Sequence, residues 1–331
     1  MRHLYDVIII GGGPSGYTAA LYAARAGLDT LVIEKLSAGG QMALTTQIDN
    51  YPGFEAGIDG FTLGDKMQQG AERFGAKTEI AEVDGVHLQG TVKTVHTNEG
   101  IFEAKTVILA MGAHPRKLGI PDEARQAGHG LHYCAACDGM FYKDKTVVVV
   151  GGGNSAAADA LLLSRICEKV ILVHRRDRLR ATKIYHEPLM QANNVEFQWN
   201  QTVESVIENT VSDDGHDDRQ GQRFGGGRNN TQITGVRLKN AATGEEKEIA
   251  CDGVFVSVGR VPATQMIENQ VTLDEKGYII ADESTKTNLP GVFAVGDIRT
   301  KALRQIVTAT ADGANAAYAA EEYLVNWVKN N

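Results

Sequence analysis

Cys134 and Cys137, separated by two alanines and followed at once by Asp138, are the residues of this chain best suited to chemistry. Two thiols at that spacing can close a disulfide ring or open to a dithiol, and a carboxylate beside the second can give or take the proton each thiol needs. The competing use of a Cys-x-x-Cys pair is half of a zinc site. That use needs a second pair, yet Cys167 and Cys251 stand alone, without Cys-x-x-Cys or His-x-x-x-His spacing around them. Redox chemistry without a metal is therefore expected.

Two stretches could bring electrons to such a pair. Asp6-Val7-Ile8-Ile9-Ile10 is β-branched and apolar almost throughout, as a strand buried on both faces of a parallel sheet should be. It runs into Gly11-Gly12-Gly13-Pro14-Ser15-Gly16. There Gly11 permits the tight turn, Gly13 lets backbone approach a pyrophosphate, and Gly16 lets the helix from Tyr17 to Ala26 pack on the strand. That helix presents its amide end to the phosphates, and a second strand, 30–33, ends in Glu34, suited to accept from ribose hydroxyls. The pattern recurs at Thr146 to Val150 followed by Gly151-Gly152-Gly153-Asn154-Ser155-Ala156. Shifting Gly11 onto Gly151 carries Glu34 onto His174, so the ribose-binding acid is gone, and Arg175, Arg176 and Arg180 follow. Loss of the acid with gain of arginines suits a 2′-phosphate, which points to NADP(H) over NAD(H). A merely solvated basic face is the alternative.

The remaining elements are read more coarsely. Segment 39–54 is turn-rich and suits a loop along an extended cofactor; 61–74 reads as a helix, 77–95 as a small β-meander and 106–112 as a buried strand. Residues 115–121 look like a crossing between domains. Between 212 and 231 the composition turns to glycine and charge, with Phe224 its one large apolar residue, which predicts an exposed, flexible insertion. Near the end, a strand over 292–295 closes in Gly296-Asp297, and Arg304-Gln305-Ile306 opens an alanine-rich helix to about Trp327 whose start could favour negative charge on a reduced ring.

Composition bounds the class. A chain of 331 residues is long for one core and comfortable for two. No apolar run approaches the roughly 18 residues needed to span a bilayer, and the start reads as a strand, not a signal peptide. A net charge of −8 argues against nucleic acid or an anionic membrane as partner. Four cysteines and no export signal suggest a reducing, cytoplasmic compartment, where such a pair is catalytic more often than structural.

Together the motifs at 11–16, 39–41 with 50–53, 134–139, 151–180 and 291–297 with 304–305 resemble those of the low-molecular-weight thioredoxin reductases, and the likeness covers nearly the whole chain outside 212–231. The resemblance implies an α/β fold of two Rossmann-like, three-layer nucleotide-binding domains. An FAD domain of 1–116 and 248–331 would be interrupted by an NADPH domain, 117–247, that carries the cysteines. It implies a homodimer, thioredoxin as partner, and rotation of the inserted domain about connections near Arg116-Lys117 and Glu246-Lys247. It carries FAD contacts to Gly11, Gly13, Ser15, Gly16, Glu34, Gln41, Asn50, Asp297, Arg304 and Gln305, and NADPH contacts to Gly153, Asn154, Ser155, Arg175, Arg176 and Arg180. It also implies that Cys137 faces the flavin, Cys134 attacks the partner and Asp138 is the acid–base group. The chain departs from the family at Ala135-Ala136, often Ala-Thr, at Met111, usually a hydroxyl residue, and at Ala158-Asp159, commonly Glu-Glu. The expected activity is NADPH-dependent reduction of thioredoxin. A same-fold dithiol oxidase, a reductase of another small redox protein, and a non-enzymatic flavin redox sensor using 212–231 are the competing functions.

Overall fold

The computed structural model describes residues 3–45, 47–210 and 231–330, in two compact units: 1–114 with 261–331, and 115–260. Of the insertion expected at 212–231, only Thr231, which opens the strand Thr231–Asn240, is among the described residues.

The first unit is built on a seven-stranded sheet. Leu4–Ile10 lies at its centre, parallel to Thr30–Glu34 on one side and to Gly100–Leu109 on the other. Alternation along these strands fills two cores. Val7, Ile9, Val32 and Ile108 face one, while Ile8, Ile10, Leu31, Ile33, Val107 and Leu109 face the other. Each such side chain contributes about 1.5–3 kcal/mol on full burial, so a strand loaded on both faces is held in a single register. The helices Pro14–Arg25 and Ile306–Asn330 cover the first core with small residues. They cross closely, since a Cβ on Gly313 would lie 2.3 Å from the Ser15 carbonyl oxygen. The meander expected over 77–95 is only half present. Val83–His87 and Lys93–Thr97 pair antiparallel, but Lys77–Ile80 runs parallel to Thr30–Glu34 at the sheet edge, because the helix Gly60–Glu72 provides a crossover.

In the second unit five parallel strands, among them Thr146–Val150, Lys169–His174 and Val195–Trp199, stand in one sheet. The helix Asn154–Ser164 covers one face through Ala156, Ala157, Ala160 and Leu163. A three-stranded antiparallel sheet covers the other through Val203, Val236 and Leu238. This moves the second crossing between the units, which was expected at Glu246-Lys247. Glu246–Ala250 is the third strand of the antiparallel sheet, and Gly253–Val256 pairs with Thr146–Val150, so the chain leaves this unit only at about residue 260.

Candidate active site

The cysteines sit where the second unit's sheet ends. The two-residue edge strand Leu131–His132 is parallel to Gly253–Val256, so Tyr133 and Cys134 follow at the carboxyl end of the sheet. Open α/β sheets bind ligands outside that end. The chain then turns at once: the amides of Cys137 and Asp138 donate to the Cys134 carbonyl at 3.2 and 3.1 Å. This turn, the helix Ala135–Asp138, brings the two α-carbons to 5.3 Å, and Cys134 and Cys137 are joined as a disulfide. Buried Ala135 anchors the turn in the core beside Tyr142. The stretch before it is clamped by Glu123, which accepts from the Tyr133 hydroxyl at 2.6 Å and from the amides of Leu118 and Gly119 at 2.8 Å. Burial alone would raise that carboxyl, but the Tyr133 and backbone bonds outweigh it and hold Glu123 below the usual carboxylate range.

Of the catalytic side chains named in advance, Asp138 has a polar partner: its Oδ2 lies 3.1 Å from His132 Nδ1. The remaining thiols are inert by comparison. Burial pushes Cys167 up to about 11 and Cys251 up to about 12, and a thiol so raised is not a thiolate near neutrality.

The second glycine motif lies at the same end of the same sheet. Gly153 caps the helix Asn154–Ser164, and the amides of Arg180 and Ala181 donate to the Gly152 carbonyl at 2.7 and 3.1 Å, tying the arginine segment to the glycine turn. Asn154 Oδ1 accepts from the Thr182 amide at 2.8 Å, which fixes the same segment a second time. Arg175, Arg176 and Arg180 are all exposed there. His174 is buried beneath Gly152, with Nε2 lacking any hydrogen-bond partner among the described residues. Burial, then the nearby Arg180, Arg176 and Arg175, push this imidazole below its ordinary range. A Cβ on Gly153 would meet nothing within 4 Å, so protein packing does not explain the glycine, whereas close ligand backbone approach does. These residues fit a dinucleotide carrying a 2′-phosphate. Asp159, at the position where the family commonly has glutamate, is turned to the Ser257 hydroxyl and raised by burial.

The first unit gathers the other predicted residues. Gly11 adopts φ +104°, and a Cβ on Gly16 would lie 1.9 Å from the Gly11 carbonyl oxygen, so both are required by the turn itself. Gly13, like Gly153, has open space where its Cβ would be. Glu34 Oε2 accepts from the Gly12 amide at 2.6 Å, placing the carboxylate beside the turn. The Gly39 amide donates to the Gly12 carbonyl at 2.8 Å, which brings the Gly39–Gln41 segment alongside. Gln41 Nε2 lies 3.1 Å from His114 Nδ1, and Asn50 Nδ2 donates to Gln305 Oε1 at 3.0 Å. Arg304 stacks 4.1 Å over Tyr278 and donates to the Arg299 and Lys301 carbonyls at 3.1 and 3.3 Å. A buried Ser15 lies against Gly296, next to Asp297. The cradle of open glycine, helix start and ribose-side acid fits a flavin dinucleotide.

What holds Asp297 in place was not legible in advance. Asp312 on the long helix accepts from the Gly296 amide at 2.8 Å, from Arg299 Nε and Nη2 at 2.8 and 2.7 Å, and from Lys301 Nζ at 2.8 Å. Burial would raise its carboxyl, but Arg299 and Lys301 outweigh that and hold it below the usual range. His132 was likewise missed, and nothing in its spacing would have signalled it.

Comparison with known proteins assigns the class first. A family model for pyridine nucleotide-disulphide oxidoreductases matches residues 5–313. The thioredoxin reductase of Listeria monocytogenes serovar 1/2a is 44% identical over 321 residues, 97% of this chain and 94% of the relative. That of Bacillus subtilis strain 168 is 42% identical over 97% of this chain and 95% of its own length. The crystal structure of thioredoxin reductase from Streptococcus pyogenes MGAS5005 matches with a TM-score of 0.85 at 40% identity, covering 98% of this chain and 100% of that one. The chain belongs to the pyridine nucleotide-disulphide oxidoreductases, and within them to the low-molecular-weight thioredoxin reductase family. Members of this class work with flavin and nicotinamide cofactors. Among the described residues no helix is long and apolar enough to cross a membrane, and no cluster of His, Cys, Asp or Glu could hold a metal ion.

Proposed function

We propose that this chain reduces the disulfide of thioredoxin with NADPH, using FAD and the Cys134–Cys137 pair. The observation that carries the reading is that pair itself, closed as a disulfide beside the Asp138 carboxylate at the carboxyl end of a nucleotide-binding sheet. Gly11, Gly13, Ser15, Gly16, Glu34, Gln41, Asn50, Asp297, Arg304 and Gln305 would hold FAD, in a domain made of both ends of the chain. Gly153, Asn154, Ser155, Arg175, Arg176 and Arg180 would hold NADPH. When bound, these cofactors supply the electron pair that opens the disulfide.

Cys134 and Cys137 then carry two electrons and two protons as a dithiol. The Cys134 thiolate attacks one sulfur of thioredoxin and displaces the other, and Cys137 attacks Cys134 in the resulting mixed disulfide, restoring the ring and releasing a thioredoxin dithiol. Asp138 holds the proton in transit from the Cys137 side to the departing sulfur. The reading includes a homodimer in the cytoplasm, supported by the family resemblance and by the acidic charge and cysteine usage of the chain.

Purified protein tests this in one assay. NADPH should be consumed rapidly with oxidised thioredoxin and only slowly with oxygen alone. Rapid consumption with oxygen and none with thioredoxin would make the protein a dithiol oxidase, and no turnover with either would leave a reductase of another small redox protein or a sensor.

A further inference from the structure

We infer that His132 is a positioning residue that holds the Asp138 carboxylate in its working orientation, with the Tyr142 hydroxyl fixing its tautomer. The inference rests on the acid–base role proposed for Asp138 above.

His132 is 6% exposed on a strand that ends two residues before Cys134. Its ring stacks on Phe255 with centroids 5.3 Å apart and meets the edge of Tyr142 at 5.2 Å. Both nitrogens are engaged, Nδ1 at 3.1 Å from Asp138 Oδ2 and Nε2 at 2.8 Å from the Tyr142 hydroxyl oxygen. A carboxylate oxygen accepts, so the tautomer that carries its hydrogen on Nδ1 suits this contact, and the Nε2 of that tautomer accepts from the Tyr142 hydroxyl. Burial pushes the Tyr142 phenol up, which keeps its hydroxyl a donor. A ring stacked on one aromatic, hydrogen-bonded to the Tyr142 hydroxyl at Nε2 and 3.1 Å from a carboxylate oxygen at Nδ1 is held in one orientation. Asp138 is thereby held at two points, its amide by the Cys134 carbonyl at 3.1 Å and its carboxylate by His132.

A packing role alone does not explain the choice of residue. A buried imidazole must be desolvated at both nitrogens, a penalty that leucine in the same aromatic pocket would avoid. Through the exchange, His132 keeps its own proton. Both S–H protons and both electrons pass from Cys134 and Cys137 to the partner sulfurs, with Asp138 relaying a proton on the way.

The test compares holoenzyme carrying His132→Leu, His132→Asn and Tyr142→Phe. Turnover is followed with thioredoxin, with a small aromatic disulfide, and with ferricyanide, which takes electrons without the cysteine pair. His132→Leu should lower kcat on both disulfides about tenfold, leaving the KM for thioredoxin and the ferricyanide rate unchanged. Asparagine, which keeps an amide N–H near the place of Nδ1–H, should restore most of kcat. Tyr142→Phe, which preserves the ring packing, should lower kcat by a smaller factor. Wild-type kcat in His132→Leu, or equal losses in the leucine and asparagine variants, would overturn the inference. If the leucine variant does not fold, unchanged kcat in Tyr142→Phe together with a loss of about tenfold or more in His132→Asn overturns it instead. A wild-type enzyme that reduces the small disulfide and not thioredoxin would refute the substrate reading, and these comparisons would still decide the role of His132.

Discussion

Replacing Cys137 with serine is expected to cut thioredoxin turnover by at least about a thousandfold, because neither the intramolecular disulfide nor the resolving attack can then form. The flavin should remain bound and should still be reduced by NADPH, since the nucleotide residues Gly153, Asn154 and Arg175 lie on other elements than the cysteine turn. Cys134→Ser should be equally inactive but chemically different. It leaves the inner thiol alone, whereas Cys137→Ser leaves the attacking thiol free to hold thioredoxin as a stable mixed disulfide. A covalent adduct seen on non-reducing electrophoresis with Cys137→Ser and absent with Cys134→Ser assigns the two roles. Adducts with Cys134→Ser alone would exchange them, and normal turnover in Cys137→Ser would end the account.

The second large effect is on cofactor choice. Arg175→Ala combined with Arg176→Ala should weaken NADPH by about a hundredfold and leave NADH nearly unchanged, two charged contacts discounted for exposure. The two guanidinium groups follow directly on the buried strand end at His174, on a segment bonded back to Gly152 through Arg180. The cofactor comparison separates a phosphate site from a solvated basic face. Equal weakening of both cofactors, measured as KM or by fluorescence titration, would show the arginines reading something other than the 2′-phosphate.

Much of this site could be read from the chain because its signals are local. Strand, glycines and helix follow one another within each fingerprint, and the Cys-x-x-Cys spacing states its own chemistry. The parts that could not be read depend on long-range pairing. Glu246–Ala250 is charged and short, and only its pairing with Thr231–Asn240 shows that it belongs to the second unit and not to a crossing. Lys77–Ile80 is equally short and was grouped with the hairpin that follows it, although its partner is Thr30–Glu34. Buried charges are the least legible. Arg299 and Asp312 are each about fully buried, and no pattern in the sequence distinguishes them from surface residues until the helix Ile306–Asn330 sets one against the other. His132 fails in the same way, since the turn after Cys134 alone brings Asp138 back onto it.

The central claim, that electrons from NADPH open the Cys134–Cys137 disulfide, is tested most directly by alkylation under anaerobic conditions before and after NADPH is added, with the labelled sites mapped by mass spectrometry. Before addition the account predicts no label on any of the four cysteines, two being joined and two buried with raised pKa values. After addition Cys134 and Cys137 should be labelled while Cys167 and Cys251 stay protected. A pair that remains unlabelled while the flavin is reduced would contradict the account.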